Sequence, residues 1–253
     1  MEYPASIARF YDLIYHKVRS TVDLEFYMEH IRETKGPVLE IGAGTGRLFS
    51  AALDSGTDIY AVEPSPAMLD ILRSKVDHAF HSRIQDTNAG SFRFEQKFDL
   101  ILAPFRVFSH IPTVEEQLKA LNNIHTHLSD NGRFIMDLYV PDPGMLASGL
   151  KNLKDFDEEF SPGNRVSRTV SMHADIVNQV SHVTMTLAWN EGDRKYEDTW
   201  KMEMRFYHRY ELEHLLKLSK LKLVEFLGDF SGNTLSADSK EFILICSASQ
   251  ETG

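Results

Sequence analysis

Residues 38–46 read Val-Leu-Glu-Ile-Gly-Ala-Gly-Thr-Gly, an apolar run that opens into glycines at alternate positions. The run Val38-Leu39-Glu40-Ile41 has the composition of a buried strand. Gly42, Gly44 and Gly46 make a turn with no side chains in the way. Such a turn lets a ligand lie directly on the backbone as the chain enters a helix. Ile59-Tyr60-Ala61-Val62 is a second apolar run, and Glu63 stands at its C-terminal tip. A carboxylate there accepts both hydroxyls of a ribose. The two features describe a nucleoside-containing ligand lying across the ends of two adjacent parallel strands.

The spacing narrows the ligand. A dinucleotide fingerprint, G-x-G-x-x-G, needs a third glycine at position 47, where this chain has Arg47. The pattern E-x-G-x-G-x-G, with Glu40 inside the strand and Glu63 after the next one, resembles the class I methyltransferases. These use S-adenosylmethionine and have a first motif of this form. The resemblance implies an α/β fold, a doubly wound, seven-stranded, mostly parallel sheet. It implies cofactor contacts at Gly42, Gly44 and Glu63, a tyrosine lid at Tyr11 or Tyr15, Met68 against the adenine and Asp86 at its exocyclic amine. Ala103 and Phe108 complete the expected cofactor set. Plainer readings stand beside several of these: core packing for Met68, a turn former at Asp86, and a hydrophobic cover for Phe10–Tyr15.

The stretch Ala103-Pro104-Phe105-Arg106-Val107-Phe108-Ser109-His110 follows a clear buried strand, Phe98–Ala103. Ligands in open α/β sheets collect at such strand ends. Here the chain is locally similar to a small-molecule branch of the methyltransferases, acting on glycine and amino sugars. Methyl transfer is an in-line displacement that needs alignment and exclusion of water. By position His110 is the best base, with Arg106 and Tyr11 as further catalytic candidates and Tyr207 and His208 behind them. A structural hydrogen bond is the alternative role for His110. A cationic sulfonium also favours aromatic lining, which Phe108 or Tyr11 supplies.

Periodicity fills in the rest. Leu24, Tyr27, Met28 and Ile31 predict a helix before the first strand. Pro64-Ser65-Pro66 is a helix start. Leu118, Leu121, Ile124 and Leu128 predict a helix over 115–128, which Ser129-Asp130-Asn131-Gly132 turns into a strand over 133–140. A helix over 210–219 and strands over 221–227 and 241–247 close the chain; in the family they end in an antiparallel hairpin. Lys220-Leu221 stands where the family has Gly-Phe, which puts the end of that helix in question.

Residues 165–206 alternate with period two, so they read as an inserted three-stranded antiparallel sheet. Trp189, Trp200, Met202, Met204 and Phe206 lie on its apolar face, and Asn190-Glu191-Gly192-Asp193 is a hairpin turn. Asp155-Phe156-Asp157-Glu158-Glu159 reads as a solvated loop. The expected organisation is a cofactor domain, 1–145 with 207–253, and an insertion, 146–206. The insertion roofs the acceptor or mediates a homodimer.

Composition agrees with a globular enzyme, 42% hydrophobic and 25% charged. The net charge of −10 argues against a nucleic-acid substrate and favours a small-molecule methyl acceptor. No apolar stretch is long enough to span a membrane, and the N-terminus has no secretion-signal pattern. A single cysteine, Cys246, fits a reducing, cytoplasmic setting. The histidine spacings complete no metal site. Two other functions remain open on sequence: a nicotinamide-dependent oxidoreductase, disfavoured by Arg47, and a non-catalytic binder of S-adenosylmethionine.

Overall fold

The structure is a computed structural model that describes residues 3–18 and 21–248. In chain order the elements are α1 (Ala5–Val18), α2 (Val22–Glu33), β1 (Val38–Ile41), α3 (Arg47–Asp54), β2 (Ile59–Val62), α4 (Pro66–Lys75), β3 (Ile84–Gln85) and β4 (Phe98–Ala103). They continue with α5 (Val114–His127), β5 (Leu128–Tyr139), α6 (Pro143–Ser148), β6 (Leu150–Ser161), β7 (Asn164–Asp175), β8 (Val180–Glu191), β9 (Arg194–Arg205), α7 (Arg209–Leu218), β10 (Leu221–Leu227) and β11 (Glu241–Ala248).

The apolar runs read as strands form a seven-stranded sheet in the order β10-β11-β5-β4-β1-β2-β3. The pairs from β3 to β5 are parallel, and β11 is antiparallel to both β5 and β10. Successive side chains of a strand point to opposite faces. Leu39, Ile41, Ile101 and Met136 therefore join Leu121 and Ile124 of α5 and Leu212 and Leu216 of α7 in one core. Val38, Leu100, Leu102 and Ile135 join Tyr27 and Ile31 of α2, Leu48 and Phe49 of α3 and Leu72 of α4 in the other. Burying each such side chain is worth about 1.5–3 kcal/mol, so both faces of the sheet are covered. Strand order reverses between β1 and β4, and the crevice there is where open α/β sheets bind ligands.

Two local expectations are refined. The pairing of β4 with β5 jumps from Phe98↔Leu128 to Leu100↔Arg133, so Ser129–Gly132 is an irregularity within one long strand. Helix α7 ends without a left-handed residue: Ser219 has φ −92° and its N–H reaches the carbonyls of Leu215 and Leu216. Its hydroxyl donates to Leu216 O at 2.8 Å and accepts from Leu221 N at 3.1 Å, which closes the helix in place of glycine.

The inserted sheet has four strands, β6-β7-β8-β9, rather than three. The segment read as a solvated loop is strand β6. It lies at an edge and only Phe156 in it is buried, so charges cover most of its length as edge strands require. Asp155 is held bidentately by Arg168 of β7, at 2.9 and 2.7 Å. Helix α1 lies across the apolar face of this sheet. Ile7, Phe10 and Ile14 pack on Phe156, Val166, Met185, Leu187 and Trp200. Ser6 donates to Asp198 at 2.6 Å, and Arg9 pairs with Glu191 at 2.6 Å. The Phe10–Tyr15 segment thus covers the inserted sheet on its apolar side and presents its tyrosines elsewhere.

Candidate active site

The glycine turn joins β1 to α3 with positive φ at Gly42 (70°), Gly44 (56°) and Gly46 (85°), where other residues are strained. Two of these glycines serve different ends. A Cβ on Gly42 would come within 2.6 Å of the Val107 side chain, so the turn can pack beside the loop after β4 only without one. A Cβ on Gly44 would meet nothing within 4 Å, because this residue faces open space.

That space is a cavity of about 430 Å³. Its floor is the glycine turn with Glu63 and Met68, and Thr87–Ser91 form one side. Tyr3, Tyr11, Asp12 and Tyr15 come down from the N-terminal segment, and Trp200, Met202 and Met204 come from β9 of the inserted sheet. Phe105, Val107 and His110 close it from the loop after β4.

Glu63 is buried, with 4% of its surface exposed. One oxygen accepts from Gly44 N at 2.9 Å and the other from Ser65 N at 2.9 Å. Burial raises its pKa, opposed by those two hydrogen bonds. The carboxylate is therefore pinned at the edge of the cradle, where ribose hydroxyls would exchange for backbone donors. Ser65 starts α4 with Pro66 in its first turn, and its hydroxyl accepts from Tyr3 N at 3.3 Å. Below the turn Glu40 is 1% exposed, and burial pushes its carboxyl up to about 8. Its Oε2 has no hydrogen-bond partner among the described residues.

Helix α1 is tied to the turn through Asp12. Its Oδ1 accepts from the Thr45 hydroxyl at 2.6 Å and its Oδ2 from Lys75 Nζ at 2.6 Å. Lys75 also reaches Thr45 O at 2.7 Å. Beside this knot the rings of Tyr11 and Tyr15 lie 4.2 Å apart. Tyr3 packs on Trp200 at 4.4 Å and stands edge-on to Tyr11 at 6.2 Å. His110 ends the short helical turn 107–110. Burial pushes its imidazole down to about 4, and its buried Nδ1 has no partner among the described residues.

The sequence-predicted residues divide accordingly. Gly42, Gly44, Glu63, Met68, Tyr11, Tyr15 and His110 all line the cavity. Asp86 is exposed at the tip of β3, and Thr87 takes the place in the wall expected for it. Ala103 and Phe108 are buried in the hydrophobic core at 0% and 1%, in the cluster that α5 and α7 form with that face of the sheet. Val107, between Phe108 and the glycine turn, faces the cavity instead. Arg106 turns away from this cavity and pairs with Glu241 at 2.6 Å. Tyr207 is a core residue whose hydroxyl reaches the carbonyls of Phe108 and Ile111, and exposed His208 caps α7. Sequence reasoning missed Tyr3 and Asp12; the signal available for Asp12 was its place beside Tyr11.

Comparison with known proteins agrees with this geometry. Residues 39–134 match the profile of a methyltransferase domain. An uncharacterised methyltransferase of Staphylococcus carnosus is 32% identical over 114 residues, 44% of this chain and 52% of the relative. The cypemycin N-terminal methyltransferase of a Streptomyces species is 24% identical over 247 residues, 93% of each chain. The chain spans 52% and 61% of the length of the first two curated relatives it matches. A crystal structure of an S-adenosylmethionine-dependent methyltransferase from Clostridium acetobutylicum superposes with a TM-score of 0.79 at 20% identity, over 97% of this chain and 98% of that one. A sugar N-methyltransferase from a Streptoalloteichus species superposes with a TM-score of 0.74 at 16% identity, over 93% and 92%. Residues 39–134 thus match a methyltransferase domain, and the fold is the Rossmann-like one of the S-adenosylmethionine-dependent methyltransferase on which the chain superposes.

The residues present fit that cofactor. The open face of Gly44 and the buried, backbone-anchored Glu63 suit a ribose. Met68 and the 87–91 wall suit a flat base, and the Tyr11–Tyr15 pair suits a cation.

Proposed function

We propose that the protein is a methyltransferase acting on an amine of a small molecule. When bound, S-adenosylmethionine supplies an electrophilic methyl on a sulfonium. One observation carries the reading: the cavity runs without interruption from Glu63 and Gly44 to Trp200, Met202 and Met204 of the inserted sheet. A site that only binds a nucleoside needs no second sheet at its far end, whereas a transferase must enclose a second molecule and exclude water. The sheet therefore roofs the acceptor, and the 146–206 insertion is the acceptor-binding part of the protein. Dimerisation is not needed to account for its apolar face, since α1 covers much of it.

The chain's own groups divide the work. Glu63 and Gly44 hold the ribose end. The Asp12–Thr45–Lys75 knot holds α1, and with it Tyr11 and Tyr15, against the turn. An imidazole held near 4 stays neutral at physiological pH, so His110 accepts a hydrogen bond rather than storing a proton. As part of the cavity wall, its neutral ring helps orient the acceptor amine.

The similar proteins whose names mention nitrogen, one acting on sugars and one at a peptide N-terminus, support an amine acceptor. The acidic charge balance supports a small molecule over a nucleic acid. Among the described residues no helix is long and apolar enough to cross a membrane. Cys246 is buried in the core, and burial pushes its thiol up to about 12, so it packs as an apolar side chain and takes no part in the transfer.

Calorimetry with S-adenosylhomocysteine tests the cofactor half. Wild type binds, and Glu63→Ala weakens binding at least tenfold, about 1.4 kcal/mol. Unchanged affinity in Glu63→Ala would remove the ribose assignment. Turnover of S-adenosylmethionine with a panel of amines tests the transfer; binding without turnover of any amine would leave only a binding protein.

A further inference from the structure

Charge is unevenly spread over the wall of the cavity. Asp12, Arg47, Glu63, Glu116 and Lys119 line it. Asp12 is taken up by Thr45 and Lys75, and Glu63 by the backbone of Gly44 and Ser65. Arg47 is held by Asp23 at 2.9 Å, with its guanidinium 4.0 Å over the Phe105 ring. Glu116 is exposed and accepts from the Thr113 hydroxyl at 2.8 Å, at the start of α5. Lys119, one turn further on, lies beside Gly90. None of these five comes from the inserted sheet or from the 107–110 turn.

The opposite end is built of rings and thioethers. Trp200, Met202 and Met204 project from one face of β9, as alternate residues of a strand do. Tyr3 lies against Trp200 at 4.4 Å, edge-on to Tyr11 at 6.2 Å and to His110 at 6.5 Å. Rings pack well on a flat apolar body, and thioethers adapt to its edges. An ammonium here would give up its hydration for ring faces alone, and loss of hydration costs an ion more than a ring face returns. Nor is there a base to discharge it. Burial pushes the His110 imidazole down to about 4. The other imidazole in the lining, His16, lies about 16 Å along α1 from Ala5. An alkylamine is protonated at physiological pH and has no lone pair to offer in that state. An amine on an aromatic ring arrives neutral.

We infer that the acceptor is an aryl- or heteroarylamine, its uncharged ring held by Trp200, Tyr3, Met202 and Met204 and its nitrogen against the His110 ring. The inference rests on the methyl-transfer reading and adds the substrate class. In the transfer the amine lone pair forms the new N–C bond, while sulfur keeps the electrons of the bond that breaks. The arylammonium so formed is acidic enough to release its proton to water, and no stronger base is called for.

The test is calorimetry on wild type, free and saturated with S-adenosylhomocysteine, with 5-aminoindole, indole and tryptamine as probes. All three share one ring system; the first carries a neutral ring amine, the second none and the third an alkylammonium. The expected result is that 5-aminoindole binds at least about tenfold more tightly than tryptamine and about threefold more tightly than indole. Its affinity stays constant between about pH 7 and 9, while that of tryptamine rises about tenfold per pH unit below its own pKa. Trp200→Ala weakens 5-aminoindole binding, and His110→Phe removes its advantage over indole, both with S-adenosylhomocysteine affinity kept. Lys201→Ala, on the opposite face of β9, changes neither. Tryptamine binding as tightly as 5-aminoindole at pH 7 overturns the proposal, because the rings would then hold a cation. Equal affinity for indole and 5-aminoindole also overturns it, because the amine would then have no partner. These comparisons on wild type need no variant to fold. Failure of S-adenosylhomocysteine to bind is a separate result, which sinks the methyl-transfer reading and leaves the probe comparison on the free protein to decide what the ring-lined end accepts.

Discussion

Two turns follow neighbouring parallel strands, and both enter the left-handed region. After β1 the residues with positive φ are Gly42, Gly44 and Gly46; after β4 they are Phe105 and Arg106. A left-handed conformation costs a residue with a Cβ roughly 1–2 kcal/mol. The first turn avoids that cost with glycines, which at Gly42 make room for Val107 and at Gly44 leave open space. The second bears it and keeps its side chains, Phe105 in the wall of the cavity and Arg106 on Glu241. Asp137 makes this possible by accepting the Phe105 N–H at 2.6 Å from the next strand. One turn is shaped by what must be absent, the other by what must be present.

The largest effect that would break this contrast comes from filling the first turn. Gly44→Val places branches in the cradle at φ 56°. We expect loss of S-adenosylhomocysteine binding by more than about 100-fold, some 2.7 kcal/mol, in a protein whose far-ultraviolet dichroism is unchanged. A folded variant with wild-type affinity would show that the ligand does not lie on this backbone.

Removing the support of the second turn should act on stability. Asp137→Ala leaves the buried Tyr27 hydroxyl and the Phe105 N–H without their shared acceptor. The expected loss is about 2–4 kcal/mol in urea unfolding. A loss below about 0.5 kcal/mol would mean the strained turn holds itself.

Arg106→Gly relieves the backbone strain but gives up a part-buried ion pair with Glu241. The two changes oppose each other, so stability should move by less than about 1 kcal/mol. S-adenosylhomocysteine affinity should stay within about twofold, because Arg106 is outside the first cavity. A large drop in that affinity would place Arg106 in the cofactor site after all.

The smallest effect concerns Glu40. Its folded pKa, pushed from 4.5 to about 8, lies above the unfolded value. The stability linked to its proton is therefore full below about pH 4.5 and is lost as pH rises through 8. Glu40→Gln removes that dependence, so the melting-temperature difference in favour of the variant should widen from pH 6 to pH 9. A constant difference across that range would show that Glu40 is ionised in the fold.

Features set by local chemistry were legible in the chain. The glycine turn, Glu63, the helix start at Ser65-Pro66 and the alternation over 165–206 are each written in a few consecutive residues. Strand β6 was not, because an edge strand with one exposed face shows acidic residues where a pattern reader expects a loop. Phe108 and Val107 exchanged roles for a related reason. Neighbours in a tight helical turn point in different directions, and composition alone does not say which faces the core.

By itself the sequence determined the glycine turn and the presence of an inserted antiparallel sheet, since backbone turn chemistry and side-chain period depend only on neighbouring residues, while the doubly wound sheet followed from the resemblance that the glycine motif carries. Tertiary structure alone decided that α1 lies between the inserted sheet and the glycine turn. It also decided that Trp200 and Gly44 share one cavity, and that Arg106 and Arg168 belong to another. Those pairings join residues far apart in the chain, and only packing against both sheets at once selects them.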